Sequence, residues 1–211
     1  MKRILVIERE FGAGAGAIAD KVAHRLGWKL LDHALTEEIA KLAKVNTETC
    51  RHREERVDPW LYRLAKVFWR GSHERSVMLP DADVVDADRL ICLTQTVIEQ
   101  AATEGQCVIV GRAAVYFLRE RADTFCVFLY APRELKYQRI LAEVKNEAEA
   151  KYLLDTVDKE RRAFIRHYYN AEWPARHLYH AMLSTAAGED ATVETILSLM
   201  EAANRSEAQS P

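Results

Sequence analysis

Gly12-Ala13-Gly14-Ala15-Gly16 is the stretch with the clearest capacity for chemistry. Glycines let backbone N–H groups converge without Cβ obstruction, and Ile18, Val22 and Leu26 follow at helical spacing, so a helix N-terminus opens there. That terminus adds unpaired donors and the positive end of the helix dipole, and its natural guest is a phosphate. Gly-Ala alternation serves equally as a tight strand-to-helix connection. A full Walker A loop reads GxxxxGK[ST], and here Ala17 and Ile18 follow Gly16, without the lysine or the hydroxyl. A dinucleotide fingerprint fits no better, with Gly12 and Gly14 at its start, Ala17 at its third position and Asp32 as its acidic residue. Both readings stay open at this stretch.

Arginines supply the next candidates. Arg112 ends the run Cys107-Val108-Ile109-Val110-Gly111-Arg112, which places a guanidinium at the mouth of a sheet. Arginine keeps its charge and offers a planar fork suited to phosphate, although a core arginine paired with a carboxylate gives the same pattern. Arg133, Lys136 and Arg139 share one helical segment, and Arg161 and Arg162 share another. Adjacent helical residues point about 100° apart, so one of Arg161 and Arg162 is expected at the site and the other in solvent. Asp32, at the carboxyl end of a short strand, either orients a substrate or caps the next helix.

Elements must position these groups. Ile4-Leu5-Val6-Ile7 reads as a strand buried on both faces, as do Cys107 to Val110 and Phe125 to Tyr130. Gly27 closes the first helix, and Trp28 to Leu31 make a second strand. Helical spacing is expected over 36–43, from Asn46 to about Arg56, and through the aromatic stretch after Pro59, whose stripe is expected in packing. The charge-dense Arg51 to Arg56 reads as a solvated helix face, and 71–86 as loop. A helix capped by Asp88 runs to Glu104, Pro132 opens another, and a third covers Glu147 to about Tyr169 until Trp173-Pro174 breaks it. Tyr179 to Thr185 is the last strand, Val193, Ile196, Leu197 and Met200 mark the closing helix, and 204–211 is a disordered tail. Strands alternating with helices predict an α/β, doubly wound, mostly parallel sheet in a single domain over 1–203.

Composition bounds the partners. The 211 residues carry 30 basic and 32 acidic side chains, and a net charge of −2 argues against general binding of nucleic acid or anionic membrane. No apolar run approaches the roughly 20 residues that cross a bilayer. Four cysteines without CxxC spacing and seven histidines without zinc-site partners predict no resident metal and a reduced, cytoplasmic protein. None of these features sets an oligomeric state.

Taken in order, the landmarks resemble the cytidylate kinase-like family of P-loop nucleoside monophosphate kinases. They are Arg9-Glu10-Phe11-Gly12-Ala13-Gly14, Leu26-Gly27 with Asp32, Cys107 to Ala113, and Val127 to Pro132. Asp158-Lys159 with Arg161, then Trp173, Tyr179 and Gly188, complete the set. The resemblance implies a P-loop NTPase-type sheet of five parallel strands in the order 2-3-1-4-5, a helical NMP-binding insert over about 34–89 and a lid near 145–161. It further implies phosphoryl transfer from ATP, with Mg2+ arriving on the nucleotide, to a pyrimidine monophosphate such as CMP. Under it Gly12, Ala13, Gly14, Ala15, Gly16 and Ala17 cradle donor phosphates, Arg112 holds the acceptor phosphate and Asp32 orients the acceptor. Arg139 and Arg161 close on the phosphoryl group from the lid side.

The chain departs from that pattern at Gly16 and Ala17, where the family usually has a basic and then a polar residue. Ala13 stands where serine is common, and His180 where aspartate is common. A lost charge aimed at a transferring group is typically worth ~3 to 4 kcal/mol of barrier. Arg9 is the nearest replacement in sequence, unless it pairs with Glu8 or Glu10. A second reading is therefore a kinase-derived nucleotide-binding or regulatory protein with little activity. A dinucleotide-dependent oxidoreductase, the third, suits the Gly-Arg strand end and the basic helix less well.

Overall fold

The computed structural model describes residues 1–32 and 87–208. Five parallel strands form one sheet in the order β2-β3-β1-β4-β5: β1 Ile4–Arg9, β2 Lys29–Leu31, β3 Cys107–Val110, β4 Thr124–Tyr130 and β5 Ala181–Ser184. This is the order that the family resemblance implies. Central β1 pairs with β3 on one side (Ile7 opposite Val110) and with β4 on the other (Arg9 opposite Leu129). All six residues of β1 are buried, as an apolar run flanked by helices on both faces requires.

The described helices are α1 Ala15–Leu26, α2 Ala87–Glu104, α3 Ala114–Leu118, α4 Arg133–Val144, α5 Glu147–Tyr169 and α6 Glu189–Ala208. Period-two alternation sorts β1 between two cores. Ile4 and Val6 join Val97, Ile98, Phe128, Phe164 and Trp173 on one face, while Leu5 and Ile7 join Ile18, Val22, Val193 and Ile196 on the other. A third cluster, Phe11 with Ile140, Ala150, Leu153 and Val157, anchors the turn after β1 in the angle between α4 and α5.

Several boundaries differ from expectation, each for a local reason. Helix α5 stops at Asn170, whose left-handed backbone ends it before Trp173-Pro174. Pro132 sits just outside α4 as its N-cap instead of in its first turn. The last strand is shorter than Tyr179 to Thr185, since a single helical turn over Arg176–Leu178 is capped by Tyr179 on one side and another begins at Thr185 on the other, while His180 bridges to Cys126 from just outside the strand. There the His180 N–H donates to the Cys126 carbonyl at 2.8 Å, and Nδ1 accepts the Cys126 N–H at 3.0 Å. The tail expected to be disordered from 204 is helical through Ala208, with the Asn204 side chain accepting the Lys2 N–H. Asp88, expected as a cap, lies inside α2. The expected helices over 36–43, 46–56 and 60–69, the loop 71–86 and the insert up to 86 lie outside the described residues.

Candidate active site

Strand β1 delivers the chain to the carboxyl edge of the sheet, where the Glu10 N–H donates to the Leu129 carbonyl at 2.9 Å before the chain turns away. Gly12 and Gly14 hold φ of +79° and +74°, the left-handed region that glycine enters without strain. Gly14 is the N-cap of α1, with no side-chain cap and no acidic residue in the first turn. The first-turn N–H groups of Ala15, Gly16 and Ala17 have no carbonyl of their own helix to reach, and a helix terminus of this kind can accept an anion.

Two helices grip the turn. The Asp158 carboxylate on α5 accepts the Phe11 N–H at 2.9 Å, and the same Oδ1 accepts from Arg161 Nη1 at 3.1 Å. Arg161 Nη1 also donates to the Arg9 carbonyl at 3.0 Å. From α4, Arg139 Nη1 donates to the Ala13 carbonyl at 2.9 Å and to Thr185 Oγ1 at 2.8 Å, and the Thr185 hydroxyl in turn donates to the Ala13 carbonyl at 2.8 Å. Lys136 Nζ on the same helix lies 2.7 Å from Glu10 Oε2. A Cβ on Gly14 would lie 3.1 Å from Arg139 Cζ and one on Gly12 would lie 3.0 Å from Lys136 Cβ, so α4 packs where those side chains would be.

Behind the turn, a charged cluster is sealed from solvent. Glu8, Arg9, Arg112, Arg161 and Asp32 are exposed by only 5, 6, 2, 6 and 4 %. The Arg9 guanidinium lies over Gly111, in the space that a Cβ there would need. Arg112 follows with φ +61°. Burial, then the neighbouring Arg9, pushes the Arg112 guanidinium down to about 9, against the pull of Asp32, and the same two causes push Arg161 down to about 10. Both still carry their charge at neutral pH. Burial raises the Glu8 carboxyl, with Arg9, Arg161 and Arg112 opposing it.

Asp32, Arg112 and Arg161 are thus brought together with Arg9, whose carbonyl accepts from Arg161. Arg162 is exposed, as the 100° argument requires. Arg139 joins from another direction, bonded to the turn's own carbonyls. The region 145–161 is the Lys145-Asn146 connection followed by the first turns of α5, with Asn146 capping the helix through the Glu149 N–H. Thr185 carries no sequence signal for this site, and Glu8 enters the sequence reading only as a possible partner of Arg9. A carboxylate near the end of an otherwise apolar buried strand is the signal that marks Glu8.

A family model described as the cytidylate kinase-like family matches residues 4–187. The chain belongs to that family. Membership makes it a nucleotide kinase-like protein, and the solved structures agree in fold. An uncharacterized protein from Eubacterium ventriosum ATCC 27560 superposes with a TM-score of 0.66 at 21% identity, over 96% of this chain and 99% of that one. A gluconokinase from Sinorhizobium meliloti 1021 gives 0.55 at 17% identity, over 100% and 98% of the chains. A shikimate kinase from Acinetobacter baumannii in complex with shikimate gives 0.51 at 17%, over 96% and 94%. No curated protein matches. None of the described helices is long and apolar enough to cross a membrane.

Proposed function

We propose that this family member binds ATP at the glycine turn and transfers its γ-phosphoryl group to a pyrimidine nucleoside monophosphate such as CMP, in the cytoplasm. The observation that carries the reading is the gathering of three buried guanidinium groups, Arg9, Arg112 and Arg161, at the carboxyl edge of a parallel sheet where a helix begins without a side-chain cap. Such an edge is where ligands of open α/β sheets bind, and phosphoryl transfer asks mainly for positioning and positive charge.

In this reading the backbone of Gly12 to Ala17 holds the donor phosphates. Arg112 holds the acceptor phosphate, and the buried Asp32 beside it fixes that guanidinium and through it the acceptor. Arg161, tied to the Arg9 carbonyl and to Asp158, brings charge from α5, and Arg9 stands in for the basic side chain missing at Gly16. Arg139 acts on the phosphoryl group through the turn that it braces. An acceptor phosphate oxygen attacks the γ-phosphorus as the bond to the β-phosphate oxygen breaks, leaving the donor as its diphosphate. Mg2+ supplies charge neutralisation on the phosphates when bound.

The test is ATP-dependent phosphorylation of CMP, dCMP, UMP, AMP and GMP with Mg2+, with calorimetric binding on the same preparation and Arg112→Ala as control. Transfer to one monophosphate, lost in the control, supports the kinase. Binding without transfer supports the second reading, a nucleotide-binding regulator, which the absence of a basic side chain at Gly16 and Ala17 favours. Neither binding nor transfer rejects both.

A further inference from the structure

Glu8 is unlike its surroundings. It is the penultimate residue of β1, and its Oε1 is shielded from solvent with no hydrogen-bond partner among the described residues. Strand register sets it one step beyond Ile7, which faces Val110, so it lies at the level of Gly111, over which the Arg9 guanidinium is folded. Arg112 is the next residue, and Arg161 reaches the Arg9 carbonyl from α5. One carboxyl is therefore embedded among three guanidinium groups, with no donor satisfying one of its oxygens. An ion pair kept for stability alone would be expected to use both.

We infer that Glu8 is the internal counter-anion of this arginine cluster and that it takes up one proton from solvent when the phosphate of a nucleoside monophosphate enters beside Arg112. The inference rests on the acceptor assignment to Arg112. Before entry, the carboxylate offsets part of the repulsion among Arg9, Arg112 and Arg161. Entry of a phosphate dianion supplies two negative charges to the same guanidinium groups, and Glu8 becomes a like charge in a site of low dielectric. Burial already disfavours its ionised form, so protonation is the relief nearest to hand. The balance is one solvent proton consumed and one neutral carboxyl formed per phosphate bound, with no other bond changed.

The groups that bear on Glu8 come from every neighbouring element. They are Arg9 on β1, Arg112 beyond β3, Tyr116 on α3, Cys126 on β4, Arg161 and Tyr169 on α5, and Tyr179 ahead of β5. Asp32 acts on it through Arg112, and Asp158 through Arg161. The thiol and the three phenols are all raised and stay neutral through the neutral range, so Glu8 is the group placed to accept the proton.

The experiment is calorimetry of CMP and of inorganic phosphate binding to the full chain between pH 7 and 8.5, in buffers of different ionisation enthalpy, for the wild type and Glu8→Gln. Phosphate monoesters ionise for the second time near pH ~6, so over this range CMP's own proton contributes little and the proton count is read from CMP; inorganic phosphate, which itself titrates within the range, reports binding alone. The expected result is proton uptake by the wild type that rises with pH towards one per site, with affinity falling by up to about tenfold per pH unit. Glu8→Gln should bind CMP with no uptake and a flat profile. Should that variant fail to fold, difference infrared spectra of wild type carrying isotope-labelled glutamate decide, through the appearance of a protonated-carboxyl band on adding CMP. Binding without uptake and without that band overturns the inference and leaves the acceptor assignment standing. Uptake that persists in Glu8→Gln also overturns it. Failure of both ligands to bind rejects the acceptor assignment and the inference together.

Discussion

The Asp158 carboxylate accepts the backbone N–H of Phe11 at 2.9 Å across 147 positions of sequence, so helix α5 carries a side-chain acceptor for the glycine turn. The same carboxylate aligns Arg161, and Phe11 itself is buried against α4 and α5. Turn, helix and guanidinium are therefore held as one unit.

Removing that acceptor should cost stability and order at the turn. Asp158→Ala leaves a part-buried N–H and the Arg161 guanidinium without their shared partner, and we expect a loss of about 1 to 3 kcal/mol in urea unfolding. Asp158→Asn keeps an oxygen for Phe11 and should lose less. Equal losses in the two variants would show that the ion pair, and not the backbone bond, carries the effect.

Gly14→Ala should destabilise the chain through strain at the turn. A left-handed backbone costs a non-glycine residue roughly 1 to 2 kcal/mol, and the new methyl would also meet the Arg139 guanidinium. Shortening Arg139 in the Gly14→Ala background should recover the steric part but not the backbone part. Measured unfolding energies of the two single variants and the double variant would then be non-additive; additivity would mean that Arg139 moves aside freely.

Glu8 should make stability depend on pH. Burial raises its carboxyl in the folded chain above the ordinary value of 4.5. Below that value both states are protonated and the group contributes nothing. As pH rises above it, the unfolded chain releases the proton first, which favours unfolding until the folded carboxyl also ionises. Glu8→Gln lacks this penalty, so its stability relative to the wild type should improve from pH 4.5 upward and then level off in denaturant titrations. A relative stability that worsens with pH would show that the arginines outweigh burial.

His180→Asp should be better tolerated than His180→Leu. The imidazole Nδ1 accepts the Cys126 N–H, and a carboxylate oxygen can do the same, whereas leucine strands a donor at a cost of about 1 to 3 kcal/mol. Thermal unfolding of the two variants compares them directly, and equal losses would assign the effect to stacking on Phe125.

Thiol reactivity should follow burial. Burial pushes the Cys107 thiol up to about 11 and the Cys126 thiol up to about 12, and both lie in the sheet. Cys92 on α2 is exposed. A disulfide reagent at neutral pH should modify Cys92 in the native protein, with Cys107 and Cys126 reacting only after unfolding. Rapid native labelling of Cys126, read by mass spectrometry, would show that the sheet opens locally.

The sequence by itself determined the central strands, the glycine turn and the family. Ile4 to Ile7, Cys107 to Val110 and Phe125 to Leu129 are continuous apolar runs, and only strands covered on both faces need them. The helix after Gly14 was legible in its 3.6-residue spacing, and the ordered landmarks from Arg9 to Gly188 carried the resemblance. Each is a local pattern, written in residues close together along the chain. Tertiary structure alone decided which charges meet. It placed Glu8 among Arg9, Arg112 and Arg161, gave Arg139 the carbonyls of the turn, and seated Thr185 beneath Ala13. It also carried the last helix to Ala208 and used Asn170, rather than Trp173-Pro174, to end α5. Arg161 and Arg9 stand 152 positions apart, and Thr185 and Ala13 stand 172 apart. No local periodicity encodes such pairs, because they exist only once the order of strands in the sheet has brought the carboxyl ends of β1, β3 and β5 to one edge.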